Sequence, residues 1–328
     1  MSRDESGRFV GAALALAARG RGRTAPNPCV GCVIVADGRI VGRGWTQPGG
    51  RPHAEAMALA QAGAKARAAT AYVTLEPCAH DSQRGPACSD LLIAAGVARV
   101  VAALEDPDPR TAGRGFARLR DAGIRVETGV RAAEARRSMA GFLTRLARGR
   151  PHVTLKLATS IDGCIAMADG SSRWITGPQA RAHAHLERSR HEAILVGRGT
   201  FEADAPRLDV RLAGLESRAP RRVLLSRTAP DADAGWHVIA DPQDIAALPG
   251  DHLLVEGGAA VASAFLAADL VDRLLLYRAP ILIGNGRHSI GDIGLGNLSS
   301  AHGRWSIVDS RQLGSDRVEV YERERNEG

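Results

Sequence analysis

At 328 residues the chain is long enough for two domains of ordinary size, and 45% hydrophobic with 24% charged residues is typical of a soluble globular protein. Five cysteines are few and odd in number, which argues against a disulfide framework, and no apolar run reaches the roughly 20 residues that span a bilayer. The net charge of +7 is spread over scattered arginines, with Lys65 and Lys156 the only lysines, so a general basic surface or an anionic small substrate is favoured over a nucleic-acid-binding stripe. We expect a cytoplasmic protein that binds neither nucleic acid nor membrane.

The first half of the chain alternates helix and strand patterns. "FVGAALALAARG" imitates a signal-peptide core, but Asp4 and Glu5 stand where a basic region belongs, so we interpret it as the first helix. "CVIVA" and "RIVGRGW" predict a hairpin around Asp37 and Gly38. The patterns then run "AEAMALAQAGAKA" helix, "TAYVTL" strand, "CSDLLIAAG" helix, "ARVVAAL" strand, "GFARLRDAG" helix, "IRVETG" strand and "AAEARRSMAGFLTRLA" helix. This alternation predicts a layered α/β domain.

A polar, proline-containing break at "RGRPH", residues 148–152, follows the last of these helices. We place a domain boundary there, with one domain over 1–148 and a second over 151–328. A second α/β set follows the break: "VTLKLA", a helix from Pro178, "EAILVG", "RRVLLS", "DHLLVEGG", a helix to residue 268, and "VDRLLLYRAPILI". The last segment, "RWSIVDSRQLGSDRVEVYER", predicts two antiparallel strands.

Two of the five cysteines, Cys78 and Cys88, lie in one polar loop, "TLEPCAHDSQRGPAC". On that loop alone, unrelated thiols explain the sequence as well as a metal site does. Upstream, however, His53 opens a predicted helix in "RPHAEAMAL" and can supply an imidazole nitrogen. Three protein ligands with an open fourth position are typical of a catalytic zinc, which lowers the pKa of its bound water to about 7.

Glu55 lies two residues after His53, turned aside from the metal, where it can accept a proton from water and return it to substrate. "HAE" followed by "EPC" after one helix and one strand matches the signature of zinc deaminases, although nine residues rather than two separate the cysteines. Two other clusters are poor metal sites. Cys29 and Cys32 lie in an apolar strand, and His183 and His185, two apart on a helix, point to opposite sides.

The chain resembles the bifunctional riboflavin-biosynthesis deaminase/reductase family over essentially its whole length. "PNPCVGCVI", "PHAEAMAL", "YVTLEPCAH", "LIAAGVARVV" and "DPDPRTAGRGF" match the deaminase half in order. The resemblance implies a cytidine-deaminase-like three-layer α/β/α domain that binds one zinc ion through His53, Cys78 and Cys88, with Glu55 as the proton shuttle. It also implies that Asn27 of "PNP" contacts the base; the less favoured alternative is a turn asparagine between two prolines.

The zinc loop departs from the pattern of the family. Its members have close to PCxHxGRTPPC, whereas this chain has "PCAHDSQRGPAC", one residue longer and without the Thr-Pro. The zinc ligands are unaffected. Which residues of the 79–87 loop contact substrate, His80 and Arg84 among them, stays open.

Residues 150–328 resemble the reductase half of the same family, whose fold is like that of dihydrofolate reductase. The matching segments are "LKLATSIDGCIAMADGSSRWIT", "ILVGRGTFEADAPRLDVR" and "LLVEGGAAVASAFL". The resemblance assigns to the NADPH site Ala158, Trp174, Thr200, Asp204, Gly258, Ala259, Ala260, Val261, Ala262, Ser263, Ala264 and Phe265. It assigns to the substrate site Ser172, Arg188, Leu208, Arg211 and Glu256.

Four charged residues of the second half have chemical properties that suit a reductase site. Arg188 and Arg211 could grip a sugar phosphate with their guanidinium forks, or could be ordinary surface arginines. Lys156 is a rare lysine inside an apolar strand, and we place it near the reacting ribose together with Asp162. No side chain can donate a hydride, so the hydride must come from a cofactor.

The resemblance implies two reactions. Zinc-dependent deamination of 2,5-diamino-6-(5-phosphoribosylamino)pyrimidin-4(3H)-one would be followed by NADPH reduction of the ribosyl group to a ribityl chain. We expect small-molecule phosphoribosyl-pyrimidine substrates and a homo-oligomer, either a dimer or a tetramer. One rival is a nucleoside or tRNA deaminase with an unrelated C-terminal domain. Another, a nucleic-acid-binding zinc module, would need a fourth ligand and a basic stripe.

Overall fold

The computed structural model describes residues 3–80, 84–228 and 235–325. The chain divides into two compact units, Met1–Arg148 and Gly149–Gly328, called the N-terminal and C-terminal units below. Among the described residues, no helix is both long and apolar enough to cross a membrane.

The N-terminal unit alternates helices and strands. Its helices are α1 (Arg3–Ala17), α2 (Ala54–Ala62), α3 (Cys88–Ala94), α4 (Arg114–Asp121), α5 (Ala132–Ser138) and α6 (Ala140–Arg148). Its strands are β1 (Gly31–Ala36), β2 (Arg39–Trp45), β3 (Thr70–Val73), β4 (Arg99–Ala102) and β5 (Arg125–Thr128). The five strands form one sheet in the order β2-β1-β3-β4-β5, with β3, β4 and β5 parallel and β1 antiparallel to both of its neighbours.

The predicted hairpin joins β1 to β2, and its turn residues Asp37 and Gly38 both have positive φ, 48° and 72°. Two glycines of this hairpin let helices approach the sheet from opposite faces. A Cβ on Gly31 would lie 1.9 Å from the carbonyl oxygen of Ala13 in α1, and one on Gly44 would lie 2.0 Å from that of Ala54 in α2. Gly44 pairs across the hairpin with Cys32, the neighbour of Gly31, so strand alternation directs the two glycines to opposite faces. Helices therefore cover both sides of the sheet.

One predicted helix is instead two. The pattern in "AAEARRSMAGFLTRLA" predicts a continuous helix, but α5 ends at Ser138 and α6 begins at Ala140. Between them Met139 leaves helical geometry at φ −108° and ψ 18°, and its side chain is buried in the core. A helical pattern in the sequence does not reveal a local change of direction that core packing stabilises.

The C-terminal unit is a second α/β layer structure. Its helices are α7 (Pro178–Arg188), α8 (Arg198–Asp204) and α9 (Ala259–Ala267). Its strands are β6 (His152–Thr159), β7 (Cys164–Ala166), β8 (Ala193–Gly197), β9 (Arg221–Leu225), β10 (Trp236–Ile239), β11 (His252–Val255), β12 (Arg273–Arg278), β13 (Arg287–His288), β14 (Trp305–Leu313) and β15 (Asp316–Arg323). The sequence patterns did not predict β7, α8, β10 or β13, which are all short.

Eight of these strands form one sheet in the order β10-β9-β8-β11-β6-β12-β15-β14. The strands from β10 to β12 in that order are parallel, whereas β15 and β14 add the predicted antiparallel pair. The buried positions of the central strands carry Val and Leu on both faces, as expected of a parallel sheet covered on both sides. Since ligands of such sheets bind beyond the carboxyl ends of the strands, the ends of β6, β8 and β11 are where a site is expected.

A buried ion-pair cluster holds the start and the end of the C-terminal unit to its sheet. The Asp272 carboxylate accepts hydrogen bonds from Arg150 Nη1 and Nη2 at 2.6 and 2.9 Å, from Arg325 Nη1 at 2.5 Å and from the Val153 amide at 2.8 Å. Burial alone would raise the pKa of Asp272. The hydrogen bonds and charges of Arg150 and its neighbours outweigh that effect and lower the pKa to about 2.

We expect Asp272→Asn to destabilise the C-terminal unit by about 3–5 kcal/mol, because the buried Arg150 would lose its described carboxylate partner and Arg325 would keep only the more exposed Asp269. In the wild type, a folded-state pKa below the ordinary 3.8 stabilises the protein above that pH, and the stabilisation is lost as pH falls from about 4 to 2. Urea unfolding followed by tryptophan fluorescence measures the stability lost in Asp272→Asn and the pH dependence of the wild-type stability. Both are measured in a Trp45→Phe background, which removes the one tryptophan of residues 1–148 so that the signal comes from the C-terminal unit.

Asp269→Asn is the matched control. Asp269 pairs with Arg323 and Arg325 at 2.8 and 3.2 Å, but its side chain is 45% exposed, so its removal should change the unfolding free energy by less than about 1 kcal/mol. If Asp272→Asn and Asp269→Asn lowered the unfolding free energy equally, the expectation that a buried ion pair contributes more than an exposed one would be wrong.

Candidate functional site

The N-terminal unit brings the three predicted metal ligands together. His53 immediately precedes α2, Cys78 follows β3, and Cys88 is the first residue of α3. The His53 Nδ1 atom lies 3.3 Å from Cys88 Sγ and 3.6 Å from Cys78 Sγ, and the three ligand atoms all lie within 4.8 Å of one another. Both cysteines are buried. One imidazole and two thiols converging on one point are a donor set that fits zinc.

The two thiols have different acidities. The hydrogen bond from Cys88 is the largest influence on Cys78 and, with help from His53 against the effect of burial, lowers the pKa of Cys78 to about 4. The backbone amide of Cys88 also donates to Cys78 Sγ at 3.3 Å. The same interaction, followed by burial, raises the pKa of Cys88. The hydrogen bonds that converge on Cys78 Sγ favour a thiolate there, and a thiolate is the form that binds a metal.

Glu55, in the first turn of α2, lies beside this cluster and is only 3% exposed. Burial raises the pKa of its carboxyl to about 7, and the charge of His53 and a hydrogen bond from the Cys88 thiol oppose that rise. A carboxyl group with a pKa near neutrality can both accept and release a proton at physiological pH, which is the property of a general acid–base group.

A cavity of about 260 Å³ opens onto the cluster. Its lining includes Asn27, for which the family resemblance implies a contact with the base, and the loop residues His80 and Arg84. It also includes residues to which the sequence assigned no role: Arg51, Glu76, Asp106, Asp108, Arg110 and Phe142. Residues 81–83 of the zinc loop lie outside the described residues, and which residues of the 79–87 loop contact substrate stays an open question.

Glu76, two residues before Cys78, organises the far wall of this cavity. Its buried carboxylate accepts hydrogen bonds from three backbone amides, those of Asp106 at 3.1 Å, Gly113 at 3.0 Å and Phe116 at 3.0 Å. The 106–116 loop, which carries three of the lining side chains, is thereby fixed against the end of β3. The one sequence signal for this role is an acid placed directly after an apolar strand, which by itself does not reveal its partners.

The rejected clusters lie elsewhere and have other partners. Cys29 and Cys32 are buried in the core, and the Cys29 thiol donates to the carbonyl oxygen of Ser138 at 3.2 Å. In the C-terminal unit His183 Nδ1 lies 2.7 Å from the Tyr277 hydroxyl, whereas His185 Nδ1 lies 3.1 Å from the carbonyl oxygen of Asp209. The two histidines contact different partners, as their spacing predicts.

In the C-terminal unit the predicted Lys156, Arg188 and Glu256 meet at the carboxyl ends of the central strands. Arg188 donates from Nε and Nη2 to the two Glu256 oxygens at 2.8 and 2.9 Å, and Lys156 Nζ lies 3.6 Å from Glu256 Oε2. Burial would raise the pKa of Glu256, but Lys156 and Arg188 outweigh it and lower the pKa to about 2. Glu256 is therefore an anion that holds two cations in place.

The two predicted phosphate-binding arginines have unlike surroundings. All described donors of Arg188 point into the protein, two to Glu256 and Nη1 to the carbonyl oxygen of Asp209 at 3.1 Å. The side chain of Arg211 is 60% exposed and is paired with the Asp209 carboxylate at 3.3 Å. Leu208, a predicted substrate residue that lies between the two arginines in the sequence, is buried and has a positive φ of 53°. A phosphate contact by Arg188 stays a prediction, and Arg211 has the more accessible guanidinium.

The predicted cofactor residues border the same strand ends. Gly197 ends β8 and Gly257 follows β11, and a Cβ on either would lie 2.4 or 2.5 Å from the side chain of Val261 in α9. Gly258 is the N-cap of α9 with no side-chain cap, so the amides of the first turn remain available to a phosphate. Thr200 and Asp204 lie on α8, Ala158 lies on β6, and the exposed Trp174 ring stacks with Arg181. These features fit a dinucleotide.

Two other predicted residues of the reductase site, Asp162 and Ser172, have no described contact with the cluster of Lys156, Arg188 and Glu256. The Asp162 carboxylate accepts hydrogen bonds from the amides of Ile283 and Gly284 at 3.2 and 2.7 Å, and with a Ser160 hydrogen bond as the largest cause its pKa falls to about 2. Asp162 thus anchors a loop, and its role near the ribose stays a prediction. Ser172 is exposed in the segment before α7.

Comparison with known proteins assigns a family model to each unit. Residues 3–104 match the cytidine and deoxycytidylate deaminase zinc-binding region. Residues 151–248 and 243–318 match the RibD C-terminal domain.

Curated relatives match the chain over almost its full length. The riboflavin biosynthesis protein RibD of Escherichia coli (strain K12) is 41% identical, over 94% of this chain and 96% of its own. The protein of the same name from Aquifex aeolicus (strain VF5) is 37% identical, over 98% of this chain and 100% of its own.

Solved structures agree with these matches. RibD of Acinetobacter baumannii, form 1, superposes with a TM-score of 0.86 at 35% identity and covers 99% of this chain and 100% of that one. A diaminohydroxyphosphoribosylaminopyrimidine deaminase/5-amino-6-(5-phosphoribosylamino)uracil reductase from Thermotoga maritima has a TM-score of 0.87 at 33% identity, over 98% and 99%. The predicted fold class, a cytidine-deaminase-like domain followed by a dihydrofolate-reductase-like α/β domain, is confirmed.

We expect the purified protein to contain about one zinc ion per chain, because three ligands converge in one place. Changing Cys78 or Cys88 to Ser should abolish zinc binding, since each substitution removes one of the three ligands found among the described residues. Elemental analysis of the dialysed variants measures the outcome.

Cys29→Ser and Cys164→Ser are the controls, because both thiols are buried and neither belongs to the cluster. Zinc lost from the Cys29 variant but retained by the Cys88 variant would show that the ligand set is wrong.

Proposed function

Because the chain belongs to the RibD family of riboflavin-biosynthesis proteins, we propose that it catalyses two successive steps of that pathway, a deamination and then a reduction. The observation that carries the proposal is the convergence of His53, Cys78 and Cys88 beside a buried Glu55. The deaminase would be residues 1–148 and the reductase residues 151–328. The substrates are phosphoribosyl-pyrimidines, first 2,5-diamino-6-(5-phosphoribosylamino)pyrimidin-4(3H)-one and then its deaminated product.

In the first step the residues of the N-terminal cavity bind the pyrimidine and transfer protons. Zinc held by the three ligands would polarise a water molecule and lower its pKa. Glu55 would accept one proton from that water and pass it to a ring nitrogen as the water oxygen bonds to the amino-bearing carbon. It would then carry the second proton, from the new hydroxyl group, to the amine, which leaves as ammonia when its bond to that carbon breaks. Its pKa near 7 suits both directions of transfer. Asn27, at the wall of the same cavity, is placed to contact the base.

In the second step the C-terminal unit opens the ribose ring. NADPH bound along Gly258 to Ala264 would supply the hydride for C1′. The ring oxygen then needs a proton as its bond to C1′ breaks, and Lys156 is the ammonium group nearest the buried Glu256. Glu256 keeps Lys156 and Arg188 in position through its ion pairs with both side chains.

The rival hypothesis of a nucleoside or tRNA deaminase with an unrelated C-terminal domain does not account for the second half. Residues 151–318 match the RibD C-terminal domain, and the curated relatives share both halves. The zinc-module hypothesis is also disfavoured, because among the residues that the structure describes the cluster has three ligands, and it borders a cavity instead of forming a closed four-ligand site.

We also propose that the enzyme is cytoplasmic and forms a homo-oligomer, a dimer or a tetramer. None of the five cysteines, all of which the structure describes, forms a disulfide, which suits a reducing compartment. Light scattering of the purified protein measures the oligomeric state.

Glu55→Gln should lower deamination by about 10²-fold or more, because the amide keeps the shape of the side chain but cannot accept the water proton. The same variant, given the deaminated pyrimidine and NADPH, should reduce it at the wild-type rate. Parallel assays of ammonia release and of nicotinamide absorbance separate the two reactions.

The converse variant is Asp204→Ala at the end of α8, where Asp204 pairs with Arg173 at 3.1 Å. It should impair NADPH oxidation and leave ammonia release unchanged. If Glu55→Gln abolished both reactions in a folded protein, the proposal of two separate sites would fail.

Arg211→Ala should raise the KM for the phosphorylated substrate of the reductase by about 10- to 150-fold, the loss expected for one charge-assisted contact of 1.5–3 kcal/mol. Arg207→Ala is a matched control, because Arg207 is also exposed and also lies 3.3 Å from Asp209 but does not match a substrate-binding position. Steady-state kinetics with phosphorylated and dephosphorylated substrate measure the effect. An unchanged KM for Arg211→Ala would refute the phosphate role.

A further inference from the structure

Each ring nitrogen of His53 has its own partner. Nδ1 faces the two cysteine thiols, as described above. On the opposite side of the ring, Nε2 lies 2.9 Å from the side-chain amide nitrogen of Asn27. The ring is thus held between the thiols and one carboxamide, and its orientation depends on both.

The Asn27 carboxamide is itself held in place. Its Nδ2 atom donates to the carbonyl oxygen of Gly50 at 3.0 Å, and its own backbone amide donates to Thr24 at 2.9 Å. A Cβ on Gly50 would lie 2.8 Å from Asn27 Cγ and 2.9 Å from Asn27 Cβ, so only glycine permits this approach. The Gly49–Gly50 turn, three residues before His53, therefore packs directly against the side chain that contacts His53.

A carboxamide can serve Nε2 in either protonation state. Its NH₂ group donates to an unprotonated Nε2, and after a half-turn of the amide its oxygen accepts from Nε2–H. A neutral imidazole that binds a metal through Nδ1 carries its proton on Nε2, and such an N–H requires an acceptor. The exchange of amide nitrogen for oxygen leaves the heavy atoms of both side chains where they are. It gives up the Nδ2 hydrogen bond to the Gly50 carbonyl oxygen, so in the metal-bound state Asn27 is held by its backbone bond to Thr24 and by its close packing against Gly50.

We propose that Asn27 is a positioning residue for the metal ligand His53, in addition to any contact with the base. By fixing the ring it directs Nδ1 to the point at which the Cys78 and Cys88 thiols converge, and the Gly50 backbone holds Asn27 there. The inference rests on the proposed zinc site. It predicts an effect on metal retention in the absence of any substrate, which a role in base binding alone would not produce.

The test measures the release of zinc from the purified holoenzyme to a chromogenic chelator, with no substrate present. Asn27→Ala should release zinc about 10- to 100-fold faster than the wild type, the range found when a ligand-orienting hydrogen bond is removed. Asn27→Asp retains an acceptor for Nε2–H and should lie closer to the wild type.

Gly50→Ala and Gly49→Ala form a matched pair of variants, and in neither of them is Asn27 or a metal ligand replaced. Both glycines have positive φ, 87° and 78°, so alanine introduces similar backbone strain at each. A Cβ on Gly49 meets no described atom within 4 Å, whereas one on Gly50 displaces Asn27. Gly50→Ala should therefore accelerate zinc release as Asn27→Ala does, and Gly49→Ala should stay within about twofold of the wild type.

Wild-type rates in both Asn27→Ala and Gly50→Ala would overturn the inference while leaving the zinc site intact. The inference would also fail if both glycine variants released zinc equally faster than the wild type while Asn27→Ala released it at the wild-type rate. Backbone strain alone would then explain the faster release. The zinc content of the wild type is measured first, because its absence would contradict the proposed function itself.

Discussion

The close contact between α2 and the β1–β2 hairpin is the constraint on which the zinc site depends. A side chain at Gly44 would collide with the helix backbone at Ala54, so the helix can lie this near only because that position lacks a Cβ. His53 and Glu55 stand on either side of Ala54 at the start of the helix. Any increase in the distance between helix and sheet would withdraw the imidazole and the carboxyl group together from the thiols, which belong to β3 and α3.

Three buried glutamates show how surroundings decide what a carboxyl group can do. Glu256 is neutralised by two cations, has a low pKa, and can only hold those cations in place. Glu76 is saturated by three backbone amides and serves the architecture of a loop. Glu55 has little compensation for burial, and its pKa rises to about 7. Of the three, Glu55 alone is suited to exchanging protons, which agrees with the pattern in which environment separates the roles of like groups.

The sequence predicted most strands and helices of both units and the metal cluster, because spacing and periodicity carry that information locally. It did not predict contacts that form between distant segments. Asn27 and His53 are 26 residues apart, and the amide partners of Glu76 are 30 to 40 residues away from it. For the same reason the sequence could present Arg188 as a phosphate ligand but could not show that Glu256, 68 residues later, already occupies its guanidinium fork. Short elements such as β10 depend on the neighbouring strand and left no pattern of their own.

The hydrogen bonds of Glu76 have a consequence for how the cavity wall moves. A loop whose amides were satisfied separately could loosen one turn at a time. Here the amides of Asp106, Gly113 and Phe116 share one carboxylate, so displacement of that side chain releases all three at once. The wall then opens as one cooperative unit, and its amide protons should exchange with solvent at a common rate that is set by a single opening equilibrium.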